Sequence, residues 1–111
     1  MTTPEGHVKN LTKALLEAYD IRPASDAGAF TTAAGWYYMP VKGASFGVSG
    51  IPDFIGHYKG WFFGIETKAP KKKPTGFQAL QIGAIQCSGG ACFVVDGAES
   101  LKYFEEWLKS T

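Results

Sequence analysis

Two runs rich in aromatic and branched residues, Asp53–Tyr58 and Trp61–Lys68, flank the dipeptide Lys59-Gly60. A two-residue gap ending in glycine marks a tight β-hairpin, because the turns that match strand twist need positive φ. Such a turn also sets the register. Tyr58 then faces Trp61, and Asp53 faces Glu66. A loop of odd length would instead turn the two acids to opposite faces.

Around this hairpin the chain reads as alternating helices and strands. Pro4 to Tyr19 has helical spacing, with Thr3 as cap, Pro4 in the first turn and Val8, Leu11, Leu15 and Ala18 as the apolar stripe. Residues 22–34 are small and polar, which predicts a long loop. Trp36–Val41 reads as a short aromatic strand and Lys42–Gly50 as a Gly/Ser-rich loop. Ala69–Pro74 is a cationic loop with two prolines. Thr75 caps a second helix running to Ser88, which Gly89-Gly90 ends. Ala91–Val95 is a continuous apolar strand, the pattern of one covered on both faces. Asp96 with Glu99 resembles a capping box for a last helix that turns Leu101, Phe104 and Leu108 inward. The expected order is αβββαβα, an α/β fold with helices packed on a mixed sheet.

The chain has 111 residues, and neither a repeat nor a linker divides it, so one domain over 1–111 is expected. No apolar run reaches the 18 or more residues of a membrane span, and the first residues lack a secretory layout. Cys87 and Cys92 are too few for a disulfide framework and too isolated for zinc; buried thiols in a reduced, cytoplasmic protein are the expectation. The formal charge of +1 conceals an uneven distribution. Residues 1–41 carry three cations against four acids, and residues 74–111 two against four. Residues 42–73 carry six lysines and only two acids, Asp53 and Glu66.

The predicted register brings those two acids together. Opposed residues of an antiparallel pair have Cβ atoms about 4.5–5.5 Å apart, and strand alternation puts Lys68 on the face of Glu66. Two carboxylates this close repel unless a positive group intervenes. Mg²⁺ or Mn²⁺ accepts such oxygen ligands, and with Lys68 the set suits metal-assisted phosphodiester hydrolysis. A structural ion pair at the sheet edge is the competing reading of the same residues.

Gly50-Ile51-Pro52-Asp53, a hairpin-length gap and Ile65-Glu66-Thr67-Lys68 together resemble the PD-(D/E)XK nuclease signature. Pro74-Thr75-Gly76-Phe77-Gln78, then Gly89-Gly90 and Phe93-Val94-Val95-Asp96, are similar to its VRR-NUC branch. That branch includes stand-alone phage and bacterial proteins and the nuclease domain of Fanconi-associated nuclease. The resemblance covers roughly Glu5 to Leu101 and implies a restriction-endonuclease-like core. It further implies that Asp53, Glu66 and the Thr67 carbonyl bind the metal, with Glu5 from the first helix beside it. Lys68 would position water or stabilise the transition state, and Gln78 would complete the site. DNA with branches, junctions or flaps is the implied substrate, and a homodimer the implied assembly.

Lys71, Lys72 and Lys73 read as phosphate contacts or a solvated loop, and Lys42 and Ser45 as further backbone contacts. His57 lies about 13 Å from Asp53 at the usual strand rise, too far for a ligand, and His7 reads as surface. Trp36, Tyr37 and Tyr38 can stack on bases or feed the core. The aromatic strand and the Trp107 helix are the candidate dimer surface. Two rival functions follow: a non-catalytic DNA-binding accessory protein that kept the fold, and an RNA- or tRNA-processing nuclease. The latter normally uses a His/Tyr/Lys set that this chain does not display.

Overall fold

The computed structural model describes residues 2–42 and 47–111. Its elements are α1 (Pro4–Ala18), β1 (Ile21–Pro23), a 3₁₀ turn (Ala24–Asp26), β2 (Gly35–Tyr38), β3 (Phe54–Tyr58), β4 (Trp61–Thr67), α2 (Gly76–Cys87), β5 (Ala91–Val95) and α3 (Ala98–Ser110). The strands form one mixed sheet in the order β1-β2-β3-β4-β5. β2, β3 and β4 are antiparallel, while β1 joins β2 and β5 joins β4 in parallel. Among the described residues the chain is thus an α/β fold with a five-stranded mixed sheet and three α-helices. Among the described residues no helix is long and apolar enough to cross a membrane.

The hairpin register is the expected one, with Tyr58 opposite Trp61 and Phe54 opposite Ile65. Lys59 and Gly60 both have positive φ, 51° and 85°, as a tight two-residue turn requires. β1 is an addition to the expected order, inside what reads from sequence as loop. Three residues are too few to show alternation, and Pro23 is tolerated because it ends an edge strand. Ile21 is nevertheless fully buried.

Alternation gives the sheet two unlike faces. α1 and α3 cover one, burying Tyr37, Phe54, Tyr58, Phe63, Ile65 and Val95 against Val8, Leu16, Phe104 and Leu108. The buried line of α1 is Val8, Thr12 and Leu16, rotated from the expected stripe, and Ala18 is exposed. Thr12 can lie inside because its hydroxyl donates to the Val8 carbonyl at 2.9 Å. Trp107 packs on Phe63, Phe93 and Phe104 and is partly buried against this core.

α2 covers part of the other face, over β4 and β5. Thr75 caps it, and the Thr75 amide in turn donates to Gln78 Oε1 at 2.8 Å, closing a capping box. Coverage is incomplete: Val94 is exposed, and so is Cys87, contrary to the expected buried thiol. At α3 the box forms differently from expectation. Ser100, not Glu99, exchanges hydrogen bonds with Asp96, and Gly97 is the cap.

Candidate active site

The β3–β4 ladder ends at Phe54 opposite Ile65, and Asp53 and Glu66 stand one step beyond it. The Asp53 amide donates to Glu66 Oε1 at 3.2 Å. Asp53 Oδ2 accepts from the Thr67 amide at 2.9 Å and from its hydroxyl at 2.7 Å. Its other oxygen, Oδ1, lies 3.4 Å from the Lys42 ammonium, which also donates to the Ile51 carbonyl. Asp53 is 8% exposed and Glu66 is fully buried.

Local sequence explains why the loop arrives here. Gly50 has φ of 84°, and a Cβ at that position would overlap the Phe77 carbonyl and lie 2.8 Å from the Gln78 amide nitrogen. Only glycine lets the chain before Pro52-Asp53 press onto the start of α2. Gly64 admits similar closeness in β4, where a Cβ would sit 3.2 Å from Cys92 Sγ and 3.4 Å from Pro52.

The two carboxyls are electrostatically unequal. Burial works against the Asp53 charge, but the Thr67 hydroxyl and amide, the Glu66 side chain and the Lys9 charge outweigh it and hold its pKa below the usual 3.8. Burial pushes Glu66 up from 4.5 to about 7, helped by its hydrogen bond with Asp53 and the Asp53 charge, with Lys42 and Lys68 opposing. Glu66 is therefore the partner that takes up a proton. When it is ionised, its buried Oε2 has no hydrogen-bond donor among the described residues.

This arrangement fits a hard divalent cation. Two carboxylates converge, one oxygen is left without a donor among the described residues, and a cationic ammonium already rests against Asp53 Oδ1 and the Ile51 carbonyl. Asp53 and Glu66 are the side chains able to hold such an ion, and Mg²⁺ commonly uses one or two carboxylates with water completing its shell. Among the described residues no three His, Cys, Asp or Glu side chains come together as a ready-made metal site. Glu5 in particular pairs with Lys9 at 3.2 Å.

The other expected site residues divide into near and far. Lys68, half-buried just past β4, is close enough to act on the Glu66 charge. Gln78 stands at the start of α2 with its carbonyl oxygen committed to the capping box, leaving its amide nitrogen for other partners. Lys71, Lys72 and Lys73 are exposed, and the Lys71 amide lies 3.4 Å from Asp96 Oδ2. Ser45 lies outside the described residues. Three contributions escaped sequence reasoning: the Lys42 ion pair with Asp53, the Thr67 hydroxyl, and the Lys9 charge. The hydroxyl residue between Glu66 and Lys68 was the one available signal; the lysines come from segments distant in sequence. No family model, curated protein or solved structure matches the chain.

Proposed function

We propose that this chain is a divalent-metal-dependent nuclease that hydrolyses DNA phosphodiester bonds, a member of the VRR-NUC branch of the PD-(D/E)XK nucleases. The observation that carries the reading is the buried Asp53–Glu66 pair, with Lys68 beside it and a Glu66 oxygen that finds no donor among the described residues. Asp53, Glu66 and the Thr67 backbone carbonyl hold Mg²⁺ or Mn²⁺, and Glu5 of α1 is the further acid that the resemblance names. Such an ion, when bound, polarises the phosphate and acidifies the attacking water. Thr67 fixes the Asp53 carboxylate through two hydrogen bonds, so its free oxygen keeps one orientation. Lys68 holds the phosphate or orients the water, and Gln78 borders the site from α2. Lys42, Lys71, Lys72 and Lys73 contact the DNA backbone, a sequence-independent grip. Branched or otherwise structured DNA is the substrate, and two copies form the working assembly.

The test is cleavage of labelled branched and linear DNA with Mn²⁺ or Mg²⁺. Wild-type protein cuts and Asp53→Ala does not. Equal cutting by the variant, or none by wild type, defeats the assignment. One observation favours a second reading, a non-catalytic DNA-binding protein on the same fold: the Lys42 ammonium neutralises Asp53 without any metal. Titration calorimetry with Mn²⁺ separates the two, since absence of binding heat supports the binder.

A further inference from the structure

Pairing across β2, β3 and β4 lays out rows of residues on the face that α2 covers only in part. Tyr38 pairs with Ile55 and Ile55 with Gly64, while Trp36 pairs with His57 and His57 with Phe62. Asp53 and Glu66 form the next row beyond Tyr38 and Ile55. At about 3.4 Å per residue, the Tyr38 row lies about 7 Å from the acid pair and the Trp36 row about 14 Å. The Trp36 and Tyr38 rings are nearly parallel, 18° apart, with centroids separated by 6.4 Å. That spacing is close to two steps of about 3.4 Å along a stacked nucleic-acid strand. Tyr38 and Phe62 are each 42% exposed, and His57 is exposed.

Large aromatics left open on one side of a sheet mark a binding surface. Tyr37, between the two rings in sequence, is buried on the opposite face. The charges around the face decide what it fits. From Ala27 to Val95 the chain has six lysines and no acid besides Asp53 and Glu66. The remaining eight acids belong to α1, α3 and the segments Asp20–Asp26 and Asp96, and both of those helices pack on the other face. An aromatic surface with Lys42 and Lys68 beside the acid pair at one end complements a polyanion that also offers flat π faces.

We propose that this open face binds unpaired nucleotides, whose bases stack on Trp36, Tyr38 and Phe62 while their phosphates run toward Lys42 and Lys68. The face thereby selects substrates with a single-stranded segment next to the scissile bond. This direction rests on the acid pair being the cleavage site, whereas the stacking itself does not.

The experiment is fluorescence anisotropy in EDTA, where no cleavage occurs. Its probes are oligothymidylate of about 15 nucleotides, near the upper end of single-strand site sizes, and an abasic strand of equal length. Oligothymidylate binds about tenfold or more tighter than the abasic strand, since stacking contributes about 1–3 kcal/mol per base. Trp36→Ala and Tyr38→Ala each weaken oligothymidylate binding about tenfold and leave the abasic strand unaffected. Trp36→Phe retains most of the affinity, and circular dichroism verifies that each variant is folded. Equal affinity for the two strands, or folded alanine variants that bind like wild type, overturns the proposal. So does sedimentation showing a dimer that Tyr38→Ala dissociates and oligothymidylate does not compete with, because the face then belongs to a second copy. Cleavage by wild type keeps the two readings separate: wild type that binds oligothymidylate but cleaves nothing with Mn²⁺ defeats the nuclease assignment and leaves the stacking face standing.

Discussion

Replacing Glu66 by Gln abolishes the pH dependence that this carboxyl imposes on stability. In the native state Glu66 keeps a proton up to about pH 7, whereas its ordinary pKa is 4.5. Between those values the folded chain holds a proton that the unfolded chain has released, so stability falls as pH rises and levels off above about 7. The interval corresponds to at most about 3 kcal/mol at 1.36 kcal/mol per pH unit, and relaxation around the buried ionised carboxylate reduces this to about 1–2 kcal/mol. Glutamine keeps an oxygen for the Asp53 amide and never ionises. The variant should therefore match wild type near pH 4.5 and exceed it by about 1–2 kcal/mol at pH 8 in metal-free buffer. Urea denaturation followed by tryptophan fluorescence measures both. Parallel profiles for the two proteins, or a less stable variant at pH 8, would refute the account of Glu66 as the buried proton acceptor. Mn²⁺ supplies a sharper contrast, since it should stabilise wild type at pH 8 and do little for the glutamine variant.

Other substitutions probe separate parts of the molecule. Lys42→Met removes the ammonium from Asp53 and should tighten Mn²⁺ binding by calorimetry while lowering the salt slope of DNA binding by about 1; weaker Mn²⁺ binding would contradict competition between the two cations. Gly60→Ala meets nothing within 4 Å and should cost only the positive-φ penalty of about 1 kcal/mol. Gly50→Ala should cost clearly more, because its Cβ overlaps the Phe77 carbonyl, and thermal melts rank the two. Phe104→Ala empties the centre of the aromatic cluster with Phe63, Phe93 and Trp107 and should destabilise by about 3–5 kcal/mol in urea titration.

Much of the hairpin was legible without coordinates because a two-residue turn permits only one pairing. The juxtaposition of Asp53 with Glu66 followed directly from that register. The cap of α2 was equally local, requiring only Thr75 and Gln78 three residues apart. Where expectation failed, the missing information was non-local. β1 forms because β2 offers an edge, which three residues of sequence do not announce. Thr12 reads as polar, and only the packing of α1 onto the sheet turns it inward, where its hydroxyl donates to the Val8 carbonyl. Trp107 reads as a surface candidate until Phe63 and Phe93 approach from the sheet.

The functional residues divide in the same way. Strand periodicity alone put Trp36 and Tyr38 on one face and Tyr37 on the other, since alternate side chains must diverge. Which face is buried depends on helices packing from elsewhere in the chain, and only the fold leaves Tyr38 and Phe62 open. Likewise, the sequence by itself determined that two acids meet amid six lysines. Tertiary structure decided that Asp53 ionises first while Glu66 keeps its proton up to about pH 7. Protonation follows from burial, from the Thr67 hydrogen bonds and from the positions of Lys9, Lys42 and Lys68, and these arise only when distant segments enclose the pair.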